Sequence, residues 1–450
     1  MTFFILFLPN NPGKIHRDIV LLRTLRTKSI FMKIITVNAH SVLNSGDTAI
    51  ILSQLDWFDA AFEKTQHTLV SRTPRLDRSL YRDRVCDILL PFLPAPSIFQ
   101  GNIERWMKSI THMFGYQEKF KLMRALKNCD LVISSGGGYF WTHRKYFPGP
   151  MFFQNYLSVK LAEMAGKPVI FFPQSFGPIR NLTAQRMLAS LLTNQNVVKI
   201  FPREKFSHTL VHALAAESGM ENKIELCPDM AFLFTPGPAV PPESKQNRKG
   251  PLIALTLRRW DFPETASKSS KNEYLESYVH SLLSGCRRLY RSHNASFIVF
   301  PQSRGPGAFE NDRSISIDFS KKLRELVPEN HIRYIDLPDN APPHQVIQLL
   351  SRADCAVTTR FHSAVFALIA GVPAVPIVYQ PKARGIMAML GMEHFSLDIH
   401  SLNPDGIVRI VEHALDNQGA IKRKLTSQLK SIRKTIRTKL DGAVKGLNLR

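Results

Sequence analysis

The stretch Thr358-Thr359-Arg360-Phe361-His362-Ser363 sets an arginine and a histidine two positions apart, after the apolar run Cys355 to Thr358 and before Ala364 to Ala370. An imidazole titrates near neutral pH and can pass a proton to a reacting atom. A guanidinium beside it can hold a carboxylate or phosphate through two parallel hydrogen bonds. Further along, Tyr379-Gln380-Pro381-Lys382-Ala383-Arg384-Gly385 adds the cations Lys382 and Arg384. A lone histidine is more often structural, but one at a strand-to-helix junction among cations suits acid–base work on an anion. His362 is therefore the candidate acid.

Two other strand-like runs also end in arginine. Arg203 follows Val197 to Phe201, and Arg258 ends Ile253 to Leu257 in Leu257-Arg258-Arg259-Trp260. Each can fork onto an anion, although an arginine paired at the surface near Glu204 is the commoner arrangement. Asp229, in Cys227-Pro228-Asp229-Met230-Ala231-Phe232, is a candidate for an ion pair or for binding a hydroxyl. Asn44-Ser45-Gly46-Asp47 opens an apolar helical run. It reads either as a helix cap or as a loop presenting Asn44, Asp47 and free backbone N–H groups to an anion. Ser134-Ser135-Gly136-Gly137-Gly138 follows another strand-like run; Gly136 and Gly137 permit positive φ and close approach of a ligand, or a tight turn.

A motif of another kind occurs twice. Phe172-Pro173-Gln174-Ser175-Phe176-Gly177-Pro178 has a near copy in Phe300-Pro301-Gln302-Ser303-Arg304-Gly305-Pro306. The separation is too long for a solenoid repeat and suggests two related domains. The copies are expected to be counterpart loops facing each other across one cleft. Arg304 stands where the first copy has Phe176, so the second loop is expected to present charge and the first mainly shape.

Other chemistries lack support. There is no Walker loop, no GxGxxG, no HExxH, no zinc-like spacing of His, Cys, Asp and Glu, and no Gly-x-Ser-x-Gly elbow. No metal or cofactor is called for.

The elements that would position these residues alternate between apolar runs and helical periodicity, the α/β signal. Strands are expected near 33–37, 68–71, 130–134, 168–172 and 198–201, and again at 253–257, 296–300, 332–335, 355–358 and 374–378. Tyr274 to Tyr290 and His344 to Ala353 read as helices. The Pro/Gly/Lys-rich segment 235–250 separates the two series. This gives two facing, doubly wound halves with a cleft between them, and in such sheets ligands bind beyond the carboxyl ends of the strands. The domains expected are 32–240, 250–400 carrying the Arg-x-His pair, and a basic helical segment, 401–450. Residues 1–31 precede the first strand-like run, Met32 to Asn38. They are read as an extension translated upstream of the native start, or disordered.

The chain has 450 residues, 44% apolar and 21% charged, an ordinary globular balance for more than one domain. Its 59 Lys and Arg against 36 Asp and Glu give +23, a surface that attracts anions. Five scattered cysteines with no CxxC pair read as reduced core residues of a cytoplasmic protein. No apolar run is long enough to span a membrane. Leu425, Leu429, Ile432, Ile436, Leu440 and Val444 recur at three- and four-residue steps among Lys and Arg. This basic amphipathic helix either closes the fold with a solvated face or touches an anionic membrane peripherally, at the inner face of the cell membrane.

In order and spacing, NSGD at 44–47, SGGG at 135–138, FFPQSFGPI at 171–179, PREKFS at 202–207, CPDMAF at 227–232, LRRW at 257–260, FPQS at 300–303 and TTRFHSAVFALIAGVPAVPI at 358–377 resemble the polysaccharide pyruvyl transferase family. The likeness runs from about Met32 to about Met392. It implies two facing Rossmann-like domains of GT-B-like architecture, with the first half on the acceptor side. It also implies transfer of the enolpyruvyl unit of phosphoenolpyruvate to a sugar of a cell-surface polysaccharide or its lipid-linked precursor, as a ketal, with release of phosphate. Arg203, His362 and Lys382 then match positions tied to phosphoenolpyruvate binding and acid catalysis, with Arg258 and Arg360 as further anion contacts. The family pattern usually has a glycine shortly before the first Asn-x-Gly-Asp, where this chain has Asn38-Ala39-His40-Ser41.

Two rivals stand beside this reading. One is a nucleotide-sugar glycosyltransferase on the same scaffold. The other is a non-catalytic module binding acidic polysaccharide or nucleic acid, against which a placed Arg-x-His pair and the lack of an RNA-binding aromatic signature argue. No specific nucleic-acid partner is expected.

Overall fold

The computed structural model describes residues 31–93, 116–142, 144–236, 248–260, 268–445 and 447. Apart from Phe31, the proposed N-terminal extension lies outside the described residues, as does most of the boundary segment 235–250.

The first sheet is built from β1 (Phe31–Ala39), β2 (Lys64–Ser71), β3 (Asp87–Leu89), β4 (Leu131–Ser134), β5 (Gly137–Thr142), β6 (Val169–Ile179) and β7 (Val197–Pro202). The strands are parallel. Their order is β3-β2-β1-β4-β6-β7, with β5 taking over from β4 as the neighbour of β6 beyond Ser134. Helices connect them: α1 (Ser45–Ala61), α2 (Pro74–Tyr81), α3 (Tyr116–Asn128), α4 (Pro150–Met164), α5 (Leu182–Leu192) and α6 (Lys205–Ala215). The central strands are apolar nearly throughout, as expected where a parallel sheet is covered on both faces.

The second sheet has the order β10-β9-β8-β11-β12-β13, again all parallel. Its strands are β8 (Leu252–Thr256), β9 (Ser296–Val299), β10 (Ile332–Tyr334), β11 (Cys355–Thr358), β12 (Ala374–Val378) and the two-residue β13 (Leu397–Asp398). Around them lie α7 (Lys268–His293), α8 (Arg313–Arg324), α9 (Pro343–Ser351), α10 (Phe361–Ile369), α11 (Pro381–Met389), α12 (Pro404–Asp416) and α13 (Gln418–Lys445). The molecule thus has two parallel-sheet α/β domains with matching strand order. In each, the order reverses beside the first strand, at β1/β4 and at β8/β11. Loops leaving adjacent strands there diverge to opposite faces and open a crevice.

Three elements differ from the sequence reading. The first FPQSxGP copy is no loop, because β6 runs through it to Ile179. The SGGG segment is only partly a loop: β4 ends at Ser134 and β5 begins at Gly137, so just Ser135 and Gly136 lie between strands. Short β3 and β13 were not anticipated: two or three residues carry no readable period.

The last helix, α13, buries Ile421, Leu425, Leu429, Ile432, Ile436 and Leu440. Each such side chain is worth about 1.5–3 kcal/mol of burial. This helix closes a core containing residues of both sheets. It also returns to the first domain, where Lys439 Nζ donates to Leu226 O at 2.7 Å, Arg433 Nε to Phe232 O at 2.8 Å, and Trp57 Nε1 to Asp441 Oδ1 at 3.0 Å. Its apolar face is therefore spent inside the protein, and only the Lys and Arg face meets solvent. Among the described residues no helix is long and apolar enough to cross a membrane.

Candidate active site

The crevices of the two sheets meet. At the first, Asn44 caps α1 by accepting a hydrogen bond from Gly46 N at 3.1 Å. At the second, β11 ends and Arg360 serves as the N-cap residue of α10, so that His362 lies in the first turn of that helix. The two helix starts touch. A methyl group added to Gly46 would stand 2.1 Å from His362 Nδ1, so the glycine is what lets the imidazole lie against the α1 backbone.

Beneath His362 lies a buried charge cluster. Arg203 leaves β7 and is 1% exposed. It donates from Nη1 to Asp229 Oδ2 and from Nε to Ser175 Oγ at 2.7 Å, with its guanidinium 4.5 Å from the centre of the Phe361 ring. Asp229 Oδ2 is also 3.7 Å from His362 Nε2, an electrostatic contact rather than a hydrogen bond. Burial alone would raise the Asp229 carboxyl, but the Arg203 charge and the nearby His362 hold it well below the usual carboxylate range. Asp229 thus stays ionised.

Arg258 is differently placed. Its Nη1 donates to Tyr379 Oη, and its guanidinium lies 5.3 Å from the Trp260 ring centre and 4.8 Å from that of Tyr379. It has no carboxylate partner among the described residues. Burial, with the Arg360 charge, pushes it below its ordinary value. Arg360 lines the same space, but its fork is occupied by Asp312, with Nη2 also donating to Glu310 O at 2.9 Å.

A second polar layer spans the domains. His40 Nε2 is 2.9 Å from Glu310 Oε1 and its Nδ1 is 3.4 Å from Asp47 Oδ2. Arg72 Nη1 donates to Glu310 at 3.1 Å, and Tyr139 Oη donates to Asp47 Oδ1 at 3.0 Å. His40, Arg72, Tyr139, Glu310, Trp260 and Tyr379 escaped the sequence reading. His40 and Glu310 are scattered singly through loops, and only the fold joins them. One signal did exist: Asn38, where a glycine was expected nearby, has φ +61°, a left-handed position that asparagine tolerates.

These groups enclose a cavity of about 300 Å³. Asn44, Asp47, Gly137, Arg203, Arg258, Gln302, Arg360 and His362 all line it, from both domains. Among the buried atoms on its wall with no hydrogen-bond partner among the described residues are Arg258 Nε, Trp260 Nε1, Gln302 Nε2 and His362 Nε2. Three of them are obligate donors, and the histidine nitrogen becomes one when protonated. Such a wall suits an anion. A larger cavity of about 430 Å³ between α1 and α13, lined by Trp57, Phe62 and Arg437, collects none of the motif residues.

Not every sequence candidate reaches the cavity. Gln174 is buried, its Nε2 3.4 Å from Ser134 Oγ, and Ser175 acts beneath the wall by accepting from Arg203 and donating to Glu204 at 2.9 Å. Gly136 is pressed against Pro173 O, where a methyl would approach to 2.8 Å. Ser303 N donates to Asp312. Arg304 presents no charge to the cavity. It turns into the domain seam, donating from Nη2 to Ser45 Oγ at 3.2 Å, while its backbone N donates to Leu43 O at 2.7 Å. Burial and the Arg313 charge push its guanidinium down to about 10. Arg384 is exposed and pairs with Asp398 at 3.2 Å. Lys382 lies in the first turn of α11, and its side chain falls outside the described residues. Both FPQSxGP copies contain a cis Gly–Pro peptide, at 177–178 and 305–306. They share a backbone shape but differ in role, since the first buttresses Arg203 and the second supplies Gln302 to the wall.

Comparison with known proteins follows the same span. The family described as polysaccharide pyruvyl transferase matches residues 44–381. The amylovoran biosynthesis protein AmsJ of Erwinia amylovora is 24% identical over 416 residues, covering 88% of this chain and 94% of AmsJ. Among solved structures, the UDP-GlcNAc 2-epimerase of Neisseria meningitidis, bound to UDP-GlcNAc, aligns with a TM-score of 0.55 at 11% identity, over 92% of this chain and 100% of its own. Anabaena HepE, solved with UDP and glucose, aligns with a TM-score of 0.54 at 12% identity over the same shares. At such identities the likeness concerns the fold, which is GT-B-like.

Proposed function

The chain belongs to the polysaccharide pyruvyl transferase family, and from that premise we propose that it transfers the pyruvyl unit of phosphoenolpyruvate to a sugar, closing a ketal on two hydroxyls and releasing phosphate. The observation that carries this reading is the donor-lined wall in which Arg258 has no carboxylate partner among the described residues while His362 stands over the ionised Asp229. Phosphoenolpyruvate carries a carboxylate and a phosphate, and both require donors. A nucleotide sugar also brings a charged diphosphate, but no enol carbon to be protonated.

In this reading His362 protonates the methylene carbon of the enol phosphate, with Asp229 supporting the imidazolium before transfer. The cationic centre so formed at the adjacent carbon takes one sugar hydroxyl. The phosphate leaves with its C–O bond electrons, and the second hydroxyl closes the ring. Across the whole reaction, the two hydroxyl hydrogens end on the new methyl group and on the departing phosphate, and His362 is restored. Arg258, with the indole N–H of Trp260 and the amide of Gln302, holds the donor and its developing charge as fixed electrostatics. Arg203 and Arg360, already engaged by Asp229 and Asp312, act as rigid background charges. Lys382 is assigned to the donor on family resemblance alone. No cofactor enters, and the acceptor is a glycan or lipid-linked sugar.

The test is phosphate release from phosphoenolpyruvate with a panel of sugar acceptors, alongside nucleoside diphosphate release from nucleotide sugars. His362→Ala is expected to lower phosphate release by about 10²–10⁴-fold in a folded protein. Unchanged turnover in that variant, or nucleotide release by the wild type, would overturn the reading.

A further inference from the structure

Strands β5, β6 and β7 are neighbours at one end of the first sheet, with Thr142 paired to Ile179 and Gln174 to Pro202. The segments following them are therefore side by side along the carboxyl edge, the edge on which the cavity opens. They carry an unusual surface. Tyr146 is 84% exposed, Phe147 57% and Leu182 67%, with Trp141, Phe153 and Phe206 also exposed. Asn181 Nδ2 donates to Lys145 O at 3.0 Å, tying the segment after β5 to the start of α5. Trp141 and Phe206 line one small hollow beside Gly177 and Pro178, and Trp141 also lines the main cavity. The aromatics therefore form an apron that starts at the cavity wall and spreads outward.

Charge is one-sided over the same stretch. From 131 to 203 the chain has eight Lys and Arg but a single acid, Glu163. That acid is buried and paired with Lys160 at 2.9 Å. Exposed Arg144, Lys145, Arg180 and Lys205 are interleaved with the aromatics. A cluster of exposed rings would be a liability for a protein that meets only water. Rings at an interface, flanked by cations without opposing carboxylates, match a surface of apolar chains capped by negative headgroups. A nucleic acid would use the cations but leave Phe147 and Leu182 unemployed.

We propose that this apron is the docking surface for an anionic lipid bilayer, seating the cavity mouth at the membrane so that the acceptor sugar arrives on a lipid carrier. The choice of acceptor rests on the pyruvyl transfer reading above; the docking itself does not. The basic helix α13 is the lesser candidate, because its apolar face is buried in the core and only charge remains for a membrane.

The full chain is to be sedimented with vesicles of phosphatidylcholine alone and of phosphatidylcholine with phosphatidylglycerol at about 2:1. Wild type is expected to bind the mixed vesicles only. The pair Tyr146→Ser with Phe147→Ser should weaken that binding by about tenfold or more, as should Arg144→Glu with Lys145→Glu. Unchanged circular dichroism and unchanged phosphate release with a soluble acceptor would show that both remain folded and intact. Lys430→Glu with Lys434→Glu on α13 should leave binding within about twofold. Absence of wild-type binding overturns the proposal. So does loss of binding through the α13 pair but not the apron pairs, or a wild-type dimer that Tyr146→Ser with Phe147→Ser converts to monomer. Because vesicle binding is read without turnover, its failure is distinct from failure of the transfer chemistry.

Discussion

Asp229 binds three things at once: it takes the charge of Arg203, faces His362 at 3.7 Å, and caps the turn after it by accepting from Ala231 N at 2.8 Å. Asp229→Asn would leave Arg203 buried with only Glu204 at 3.8 Å for compensation. We expect a loss of about 3–5 kcal/mol in urea unfolding, together with loss of phosphate release. The pH dependence follows from the sign of the shift. A carboxyl depressed on folding contributes its full stability above the unfolded value near ~4 and loses it progressively as pH falls below that. Wild type should therefore lose stability through the acid range, and the variant should show a flatter acid limb. A parallel acid limb would remove Asp229 as a source. At this scale the sequence was partly readable. His362, Arg203, Arg258 and Asp229 lie beside strand ends and could be named, whereas Arg304 and Arg384 have the same side chain in similar motifs. What separates them is the partner each finds after folding: Ser45 across the seam for Arg304 and Asp398 at the surface for Arg384.

Two helix starts, α1 and α10, set the site, and their contact depends on Gly46. Gly46→Ala would push the His362 ring aside or part the helices, since 2.1 Å is far inside any real contact. The expected outcome is a fall in phosphate release of about 10²-fold or more, with the helical circular dichroism retained. Activity within twofold of wild type would mean that His362 need not hold this position. Elements of this size were the most legible part of the chain. The long strands and α7, α9 and α13 follow from apolar runs and from three- and four-residue steps, because burying one face imposes that period. The first FPQSxGP copy was misread as a loop because proline and glycine usually end strands, whereas here β6 continues through them beside β5 and β7. Nothing local announces that rescue, which comes from neighbouring strands.

The two domains are joined by a polar seam above the cavity and by α13 behind it. Arg304 belongs to that seam, so Arg304→Met should lower stability by about 1–3 kcal/mol in urea while leaving the KM for phosphoenolpyruvate within about twofold. A tenfold rise in KM at unchanged stability would return Arg304 to the donor site. Whole-molecule geometry was the least accessible to sequence, which suggested two halves and a cleft but not which residues would face each other across it. His40 and Glu310 are 270 residues apart and meet at 2.9 Å. Helix α13 adds a consequence in time. Trp57 waits for Asp441, 384 residues later, so at about 5–20 residues per second the surface between them stays uncovered for roughly 20–80 s of synthesis. The first domain must spend that interval with its apolar flank open to chaperones or to a neighbouring nascent chain, and a ribosome stalled before α13 would leave it there.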